Sequence, residues 1–308
     1  LWIAALIAGS LLLAAGLVAE RLRQRRRGRD AVLRAKYLHI LTVALLSGRR
    51  TAPRFPLLER PGARAILVRT LAETIRATYG PDDEPLRRTV AEYGLDRWLL
   101  RRIRRSGGYR RACYLALLAQ LPVAPEIALR AANHASSRNR YVRFYALLVR
   151  ITADPAEALH AIASYPTPFT ATETAEILSV LRRGMLPIAY APLLESPVEN
   201  LRRLGVAIVR QFGIEEAKIP LLRIVDTDPS SELAFEALDT LRSMQLPLCR
   251  REIAGRIARF DDARRKALLR RMAAGGYAPH VLQHLFEPHE QPYYEALVQS
   301  YKCTLACR

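Results

Sequence analysis

The sequence contains very little lysine. Of its 48 lysine and arginine residues, only four are lysine, at Lys36, Lys218, Lys266 and Lys302. Arginine therefore carries nearly all of the formal net charge of +19. A GC-rich coding sequence would produce the same bias, together with an excess of alanine and leucine. The functional interpretation is attraction to an anionic surface, whether phospholipid, nucleic acid or an acidic partner protein.

Signatures of catalysis are also missing. The chain has no GxxxxGK[ST] phosphate loop, no GxGxxG turn after a strand, no HExxH and no GxSxG. Cys303 and Cys307 are one helical turn apart but have no second ligand pair, so we interpret them as ordinary thiols. His280 and His284 are spaced in the same way, and Pro288 breaks the helix after them. We therefore predict a protein that is not an enzyme and that holds no metal or cofactor.

Long alternating segments typical of β-strands are absent, and a helical repeat takes their place. A small residue recurs every 29 to 32 positions, and a proline recurs with nearly the same period. The small residues are Ala116, Ala146, Ala175, Gly205, Ala237, Ala267 and Ala296, and the prolines are Pro125, Pro155, Pro187, Pro220, Pro247 and Pro279. Such a period predicts stacked helix pairs in which small residues let neighbouring helices approach closely.

One unit illustrates the pattern. Apolar residues from Val142 to Val149 follow helical spacing, and Asp154 is expected to cap a second helix with Pro155 at its first position. The second helix is predicted to carry Ala158, Leu159, Ile162 and Ala163. Tyr165-Pro166 then ends it, because the residue before a proline avoids the helical region.

Units of this kind resemble HEAT repeats over residues 108–302. The resemblance rests on arginines just before the small residue and on aspartates in turns; these are Arg143, Arg202, Arg203, Arg264, Arg265, Asp154 and Asp228. It implies an all-α fold with a right-handed α-solenoid of HEAT-like helix pairs, which the N-terminal sequence predicts to be preceded by one transmembrane helix. The family's turn aspartate followed by a valine-arginine pair is complete in no unit, so armadillo-like or irregular helical repeats stay open.

The first 18 residues carry no charge. At about 1.5 Å per residue they reach about 27 Å, close to the hydrocarbon thickness of a bilayer. We predict a transmembrane helix over 1–19, followed by a juxtamembrane collar over 20–30 that contacts anionic phospholipid. The collar arginines are Arg21, Arg23, Arg25, Arg26, Arg27 and Arg29. By the positive-inside rule, the rest of the chain is expected in the cytoplasm, with a single pass through a bacterial inner (plasma) membrane.

An irregular helical cap is predicted over 31–107, before a repeat array over 108–308. Asp30 is expected to start a helix ending near Ser47, and further helices are predicted over 63–79, from Glu84 and over 95–105. The proline-rich segment 51–62 is predicted to be an extended arm. Its candidate docking residues are Phe55, Leu57 and Leu58. Packing of these side chains onto the first repeat is the alternative.

The densest charge cluster outside the collar lies between Arg97 and Arg111, with Trp98 and Tyr109 among the arginines. Its candidate contacts for a partner or a phosphate are Arg97, Arg101, Arg102, Arg104, Arg105, Arg110 and Arg111. Such a cluster can bind phosphate, acidic lipid or an acidic loop. A solvated helix face is the alternative interpretation.

These features predict a non-enzymatic, membrane-tethered scaffold whose helical arm binds an integral membrane protein. The plan of anchor, arginine collar and helical repeats resembles bacterial HEAT-repeat proteins associated with membrane glycosyltransferases that make surface polysaccharides. That resemblance implies such a glycosyltransferase as the partner. A nucleic-acid partner is not expected, because a membrane anchor fits badly with scanning a chromosome. The alternative is a basic helical-repeat module that binds nucleic acid or a nucleotide signal.

Overall fold

The structure is a computed structural model that describes residues 2–47, 51–77, 84–184, 189–244, 251–282, 285 and 287–306. Within its helices, the backbone alone is described at 2–19, 22–23, 26, 182–184, 251–252, 281–282 and 303–306. Every regular element in the described residues is helical, and none of these residues forms a strand. The predicted all-α class is therefore confirmed.

Seventeen α-helices follow one another along the described residues. They are α1 (Trp2–Leu46), α2 (Ala63–Ala77), α3 (Glu84–Glu92), α4 (Leu95–Arg105), α5 (Gly108–Leu118), α6 (Pro125–Ala132), α7 (Arg140–Ala153), α8 (Ala158–Ala163), α9 (Ala171–Gly184), α10 (Tyr190–Leu194), α11 (Glu199–Phe212), α12 (Lys218–Thr227), α13 (Ser231–Ser243), α14 (Arg251–Ile257), α15 (Asp262–Ala274), α16 (Pro279–Leu282) and α17 (Gln291–Ala306). A short 3₁₀ helix, Glu215–Ala217, leads into α12.

The chain divides into two compact units, unit 1 (Leu1–Pro155) and unit 2 (Ala156–Arg308). The division falls within the segment 108–308 for which the sequence predicts one repeat array.

Helix α1 is longer than the sequence indicated. It continues without a break through residues 20–30, so Asp30 lies inside the helix and the prediction that it starts one is wrong. The collar is thus part of the same helix as residues 31–46. Among the residues whose side chains the structure describes, no helix is long and apolar enough to cross a bilayer. The predicted transmembrane segment 1–19 lies outside those residues.

In unit 1, the C-terminal part of α1 packs on α2 and α3. Tyr37 and Leu41 of α1 are almost completely buried. Further along, α4 contacts α3, α5 and α6, and α7 contacts α5 and α6. Val142 and Val149 lie on the buried face of α7, as their helical spacing predicts.

In unit 2, alternate helices contact one another in order along the chain. Helix α11 contacts α9 and α13, α13 contacts α15, and α15 contacts α17. A second series runs beside it, in which α12 contacts α10 and α14. Leu221, Leu238 and Leu268, from three different helices, are fully buried in the shared core.

The small residues of the repeat differ in burial. Ala146, Gly205 and Ala237 are buried, in agreement with close helix packing. A Cβ atom at Gly205 would lie 3.1 Å from the backbone nitrogen of Leu194, so α10 crosses α11 closely at this point. Ala175 and Ala296 are exposed instead, and Ala116 and Ala267 are intermediate. Close helix approach therefore does not explain every member of the series.

The repeated prolines also differ in their positions within the helices. Pro125 and Pro279 are the first residues of α6 and α16, as predicted. Pro220 is the third residue of α12, and the predicted positions Pro187 and Pro247 lie outside the described residues. The prediction for Pro155 is wrong. Asp154 caps the C-terminus of α7, its N–H donating to the carbonyl of Arg150, and α8 begins only at Ala158.

Candidate functional site

Helix α4 separates apolar and basic residues sharply. Leu95, Leu99 and Ile103 are fully buried, whereas Arg97 and Arg101 point to solvent. Arg102, Arg104 and Arg105 are exposed as well. The helical period therefore directs leucine and isoleucine into unit 1 and arginine outward. The predicted bounds of this helix, 95–105, are confirmed.

Two of the predicted contact arginines have structural partners. The guanidinium of Arg102 lies 5.3 Å from the ring centroid of Trp98. The Nε of Arg111 donates to the carbonyl oxygens of Ile103 and Ser106, at 3.2 and 2.8 Å. Because these carbonyls end α4, Arg111 ties that end to α5 and is less available to a ligand than the other arginines.

The other five, Arg97, Arg101, Arg104, Arg105 and Arg110, are exposed and form no ion pair with any carboxylate that the structure describes. The carboxylate of Asp96 is 9% exposed and accepts from the backbone nitrogen of Arg97. We name Arg97, Arg101, Arg104 and Arg105 the α4 arginine face; Arg110 is exposed on the next helix, α5. The α4 arginine face presents positive charge that no internal carboxylate neutralises.

The collar presents arginine in the same way where its side chains are described. Arg21, Arg25, Arg27 and Arg29 are exposed, and the side chains of Arg23 and Arg26 lie outside the described set. Among the described side chains, no hydrogen bond or ion pair joins the collar to the α4 arginine face.

The predicted docking segment packs in part against other residues of unit 1. Phe55 is buried, with its ring centroid 5.3 Å from that of Tyr37 and 5.5 Å from that of Tyr93. The hydroxyls of Tyr37 and Tyr93 donate to the carbonyls of Pro56 and Pro53. The expected exposure is therefore not found at Phe55. Leu57 is 45% exposed, and Leu58 is only partly so.

Unit 2 contains a groove of about 760 Å³ that the sequence analysis did not predict. Four helices line it, and each contributes one stripe at helical spacing. The stripes include Ala171, Thr174, Ala175 and Leu178 of α9; Ala207, Arg210 and Gln211 of α11; Glu232, Phe235 and Glu236 of α13; and Ala263, Arg264, Ala267 and Arg271 of α15. The exposed or half-exposed small residues Ala175 and Ala267 are thus part of this groove.

Three guanidinium groups surround one carboxylate at one side of the groove. Asp239 is fully buried and accepts from Arg210 at 2.8 Å, from Arg271 at 2.5 Å and from Arg242 at 2.8 Å. Arg242 is mostly buried, while Arg210 and Arg271 are nearly half exposed in the groove. The guanidinium of Arg271 also lies 5.1 Å from the ring centroid of Phe235. We name this the Asp239 cluster; it carries excess positive charge.

Beside the Asp239 cluster, α11 and α13 also hold a cluster in which carboxylates outnumber guanidinium groups. Arg203 of α11 is fully buried and contacts Glu199 and Glu236 at 2.9 Å and Glu232 at 3.5 Å. We name this the Arg203 cluster; three carboxylates around one guanidinium give it excess negative charge. Glu232 is 54% exposed and Glu236 is 22% exposed, and both line the groove.

Burial and charge act in opposite directions in the Arg203 cluster. Burial raises the pKa of the Glu236 carboxyl above its ordinary value, although Arg203 opposes the shift. Burial alone would lower the pKa of Arg203, but Glu236 and the other two carboxylates outweigh it and the net direction is upward. Arg203 is therefore held as a cation at any physiological pH.

The two clusters join residues 29 to 33 positions apart, close to the repeat period. The sequence signal was present as charged residues beside the small residue of each unit. It did not show which of these charges would meet across neighbouring helices.

No set of three histidine, cysteine, aspartate or glutamate side chains in the described residues could hold a metal ion. His284, Cys303 and Cys307 lie outside that set. No family model, curated protein or solved structure matches this chain.

Proposed function

We propose that the chain is a non-enzymatic scaffold tethered to the bacterial inner membrane, with a cytoplasmic arm that binds and organises an integral membrane protein. The partner class proposed is a glycosyltransferase that synthesises polysaccharide. The tether is a single transmembrane helix over 1–19, and the arm is a right-handed solenoid of HEAT-like helix pairs.

The helix contacts of unit 2 support the solenoid. In a solenoid, each repeat contacts its neighbours in turn, and equivalent helices form successive layers. The series α9, α11, α13, α15 and α17, with α10, α12 and α14 beside it, has that order. Such arrays use the surface formed by one helix of each pair for binding, and the groove lies on helices of a single series.

The observation that carries the proposal is the course of α1. One uninterrupted helix includes the uncharged segment, passes through the exposed collar arginines and ends in the core of unit 1 at Tyr37 and Leu41. An apolar stretch followed directly by arginines is the pattern of a membrane helix with a cytoplasmic C-terminal side. A helical connection would hold unit 1 close to the headgroups.

The α4 arginine face supports a position near the membrane surface. Unpaired arginines gain about 1 kcal/mol each near an anionic leaflet. Internal ion pairs would have removed that gain, yet none is formed by Arg97, Arg101 or Arg104 within the described part of the chain.

The test is site-specific photo-crosslinking of the full chain in native membranes, combined with an alkaline wash. A photoreactive residue is placed at Arg101 on the α4 face and at Ala175 in the groove, both exposed. Ile219, 70% exposed on α12, is the matched control. We expect the chain to stay in the washed membrane and the two test positions to crosslink to an integral membrane protein.

Two results would contradict the proposal. Release of the chain by the alkaline wash would remove the tether. Crosslinks that are equally frequent at Ile219, or that capture only soluble proteins, would remove the membrane partner.

The α4 arginine face also favours a second candidate, a module that binds nucleic acid or a nucleotide. Its test is fluorescence anisotropy with a labelled single-stranded oligonucleotide and the full chain in mild detergent. If this candidate is right, the logarithm of the binding constant should fall less steeply with the logarithm of salt concentration in R97Q/R101Q/R104Q/R105Q. The slope should become less negative by about 0.7 for each phosphate that the variant no longer binds. An unchanged slope would exclude binding through this face.

A further inference from the structure

The groove of unit 2 places two oppositely charged clusters side by side over an apolar floor. On α13, Glu232 and Glu236 belong to the Arg203 cluster, and Asp239 follows one turn later at the centre of the other. Arg203 and Arg210 of α11 follow the same order, so the two helices run parallel with their charges in register. Phe235 and Ala175 contribute to the apolar floor.

Each cluster leaves charge for a ligand to neutralise. In the Asp239 cluster, one carboxylate is shared among three guanidiniums, so Arg210 and Arg271 keep unused N–H donors at the groove surface. The buried carboxylate fixes both guanidiniums, which lowers the entropy cost of binding an anion. In the Arg203 cluster, the exposed oxygens of Glu232 can accept from a cation.

From this arrangement we propose that the groove binds a peptide segment of the partner protein that carries one acidic and one basic side chain. The acidic side chain pairs with Arg210 and Arg271, the basic one pairs with Glu232 and Glu236, and an apolar side chain between them packs on Phe235. This inference rests on the proposed function, because it describes how the scaffold recognises its partner.

Charge distribution decides against a uniformly charged ligand. A nucleic acid or an anionic lipid surface that reached Arg210 and Arg271 would also bring phosphates toward Glu232 and Glu236. Like charges juxtaposed at an interface oppose binding and select against the wrong partner. The size of the groove also suits a peptide: helices pack about 8–10 Å apart, so four of them span about 25–30 Å, the length of eight or nine extended residues.

The test is selection from a displayed library of random nine-residue peptides against the full chain in mild detergent. We expect the selected peptides to contain both an acidic and a basic residue at a fixed separation, with an apolar residue between them. Replacing the acidic residue by its amide should weaken binding about tenfold or more, as expected for a charged group paired with two fixed guanidiniums.

Two variants test the charge and the shape of the groove separately. R210Q/R271Q removes both exposed guanidiniums and leaves Asp239 paired with Arg242, and the selected peptides should bind it at least about tenfold more weakly. A175W leaves every ion pair in place and fills the groove from the exposed position 175, and it should also abolish binding. R223Q/R259Q is the matched control, because it removes the same charge from exposed positions outside the groove.

Several results would overturn the inference. They are an absence of enriched peptides, enrichment of uniformly acidic or uniformly basic peptides, and equal binding to A175W. The failure of this inference is distinguishable from that of the proposed function. If crosslinking to a membrane protein persists while no peptide is selected, the scaffold proposal stands and the groove is not its peptide site.

Discussion

Arg203 and Glu236 lie 33 positions apart in the chain, and a 2.9 Å hydrogen bond joins Nη1 of one to Oε1 of the other. Arg203 has no exposed surface, and Glu199 and Glu232 complete its surroundings. A buried cation with three carboxylates links α11 to α13 and fixes their register. Because each unpaired charge is costly in the core, the cluster enforces one pairing of the two helices.

Replacing Arg203 by methionine should strongly destabilise unit 2. Methionine keeps an unbranched apolar side chain but leaves three carboxylates together without a cation, and breaking a buried ion pair costs about 3–5 kcal/mol. Hydrogen–deuterium exchange of the full chain in detergent should show the loss as faster exchange in α11 and α13. Arg210→Met is the matched control; its partner Asp239 keeps two other guanidiniums, so the loss should be much smaller. Equal effects in the two variants would refute the role of the Arg203 cluster.

The carboxyl of Glu236 should give unit 2 a specific pH dependence. Burial raises the pKa of Glu236, so the folded protein binds that proton more tightly than the unfolded chain does. The stabilisation is complete below the ordinary value of 4.5 and is lost as pH rises through the raised pKa. Glu236→Gln stays neutral, so its free energy of unfolding relative to the native chain should increase across that interval.

Thermal unfolding of both chains in the same detergent, at a series of pH values above and below 4.5, measures this difference. Glu232→Gln removes a carboxylate that is 54% exposed in the same cluster and serves as control. A difference between native chain and Glu236→Gln that does not vary with pH would show that the environment of Glu236 is not as described.

Two glycine substitutions should have opposite effects. At Gly205, an added Cβ would lie 3.0 Å from Cδ2 of Leu194 and 3.1 Å from its backbone nitrogen. That overlap outweighs the helix propensity gained, so Gly205→Ala should lower the free energy of unfolding by about 1 kcal/mol. At Gly255 of α14 nothing lies within 4 Å, and alanine should stabilise by about 0.5–1 kcal/mol. Denaturant titrations would detect both signs, and stabilisation by Gly205→Ala would contradict the close crossing of α10 and α11.

The arm over 51–62 should loosen when its tyrosine contact is removed. Tyr37→Phe deletes the 2.7 Å hydrogen bond from the phenol to the carbonyl of Pro56. Loss of about 1 kcal/mol corresponds to about a fivefold increase in the opened population. Cleavage by trypsin after Arg54, followed by mass spectrometry, should accelerate by that factor. Tyr141→Phe, 61% exposed on α7, should leave the rate unchanged, and an unchanged rate in Tyr37→Phe would show that the arm is not held by this contact.

Local signals predicted some elements accurately. Helix α4 begins at Leu95 and ends at Arg105 as expected, because Gly94 adopts a left-handed conformation before it and Ser106 is extended after it. Helix α2 begins at Ala63, also as predicted. In both cases the glycine or proline that delimits the helix acts within one or two residues, so neighbouring repeats are not needed to place it.

Signals that depend on competition between neighbours failed. Asp30 is a good cap residue, but its immediate neighbours Arg29 and Ala31 are strong helix formers, and the helix continues through it despite Gly28. Asp154 and Pro155 satisfy the pattern of a helix start, yet the Asp154 N–H is used to end α7. Each pattern was compatible with two structures, and the backbone hydrogen bonds of the flanking helix decided between them.

The groove could not have been predicted by any local rule. Its charge clusters pair Arg203 with Glu236 and Arg271 with Asp239, across 33 and 32 positions. The repeat period indicated that these residues lie in adjacent helices but did not specify the register of those helices. Register depends on packing of the whole unit, including the close contact at Gly205.

The uninterrupted α1 has a consequence for orientation. Each residue of an α-helix adds about 1.5 Å of rise and about 100° of rotation. A helix without a break between residue 20 and Tyr37 therefore fixes the rotational position of the helices packed around Tyr37 relative to the segment before the collar. Inserting one residue near Gly28 would turn the helices packed around Tyr37 by about 100° about the axis of α1, whereas inserting seven would restore their direction to within about 20°. If residues 1–19 span the membrane as proposed, the length of the collar determines how far the helices around Tyr37 stand from the bilayer and which side they turn toward a partner.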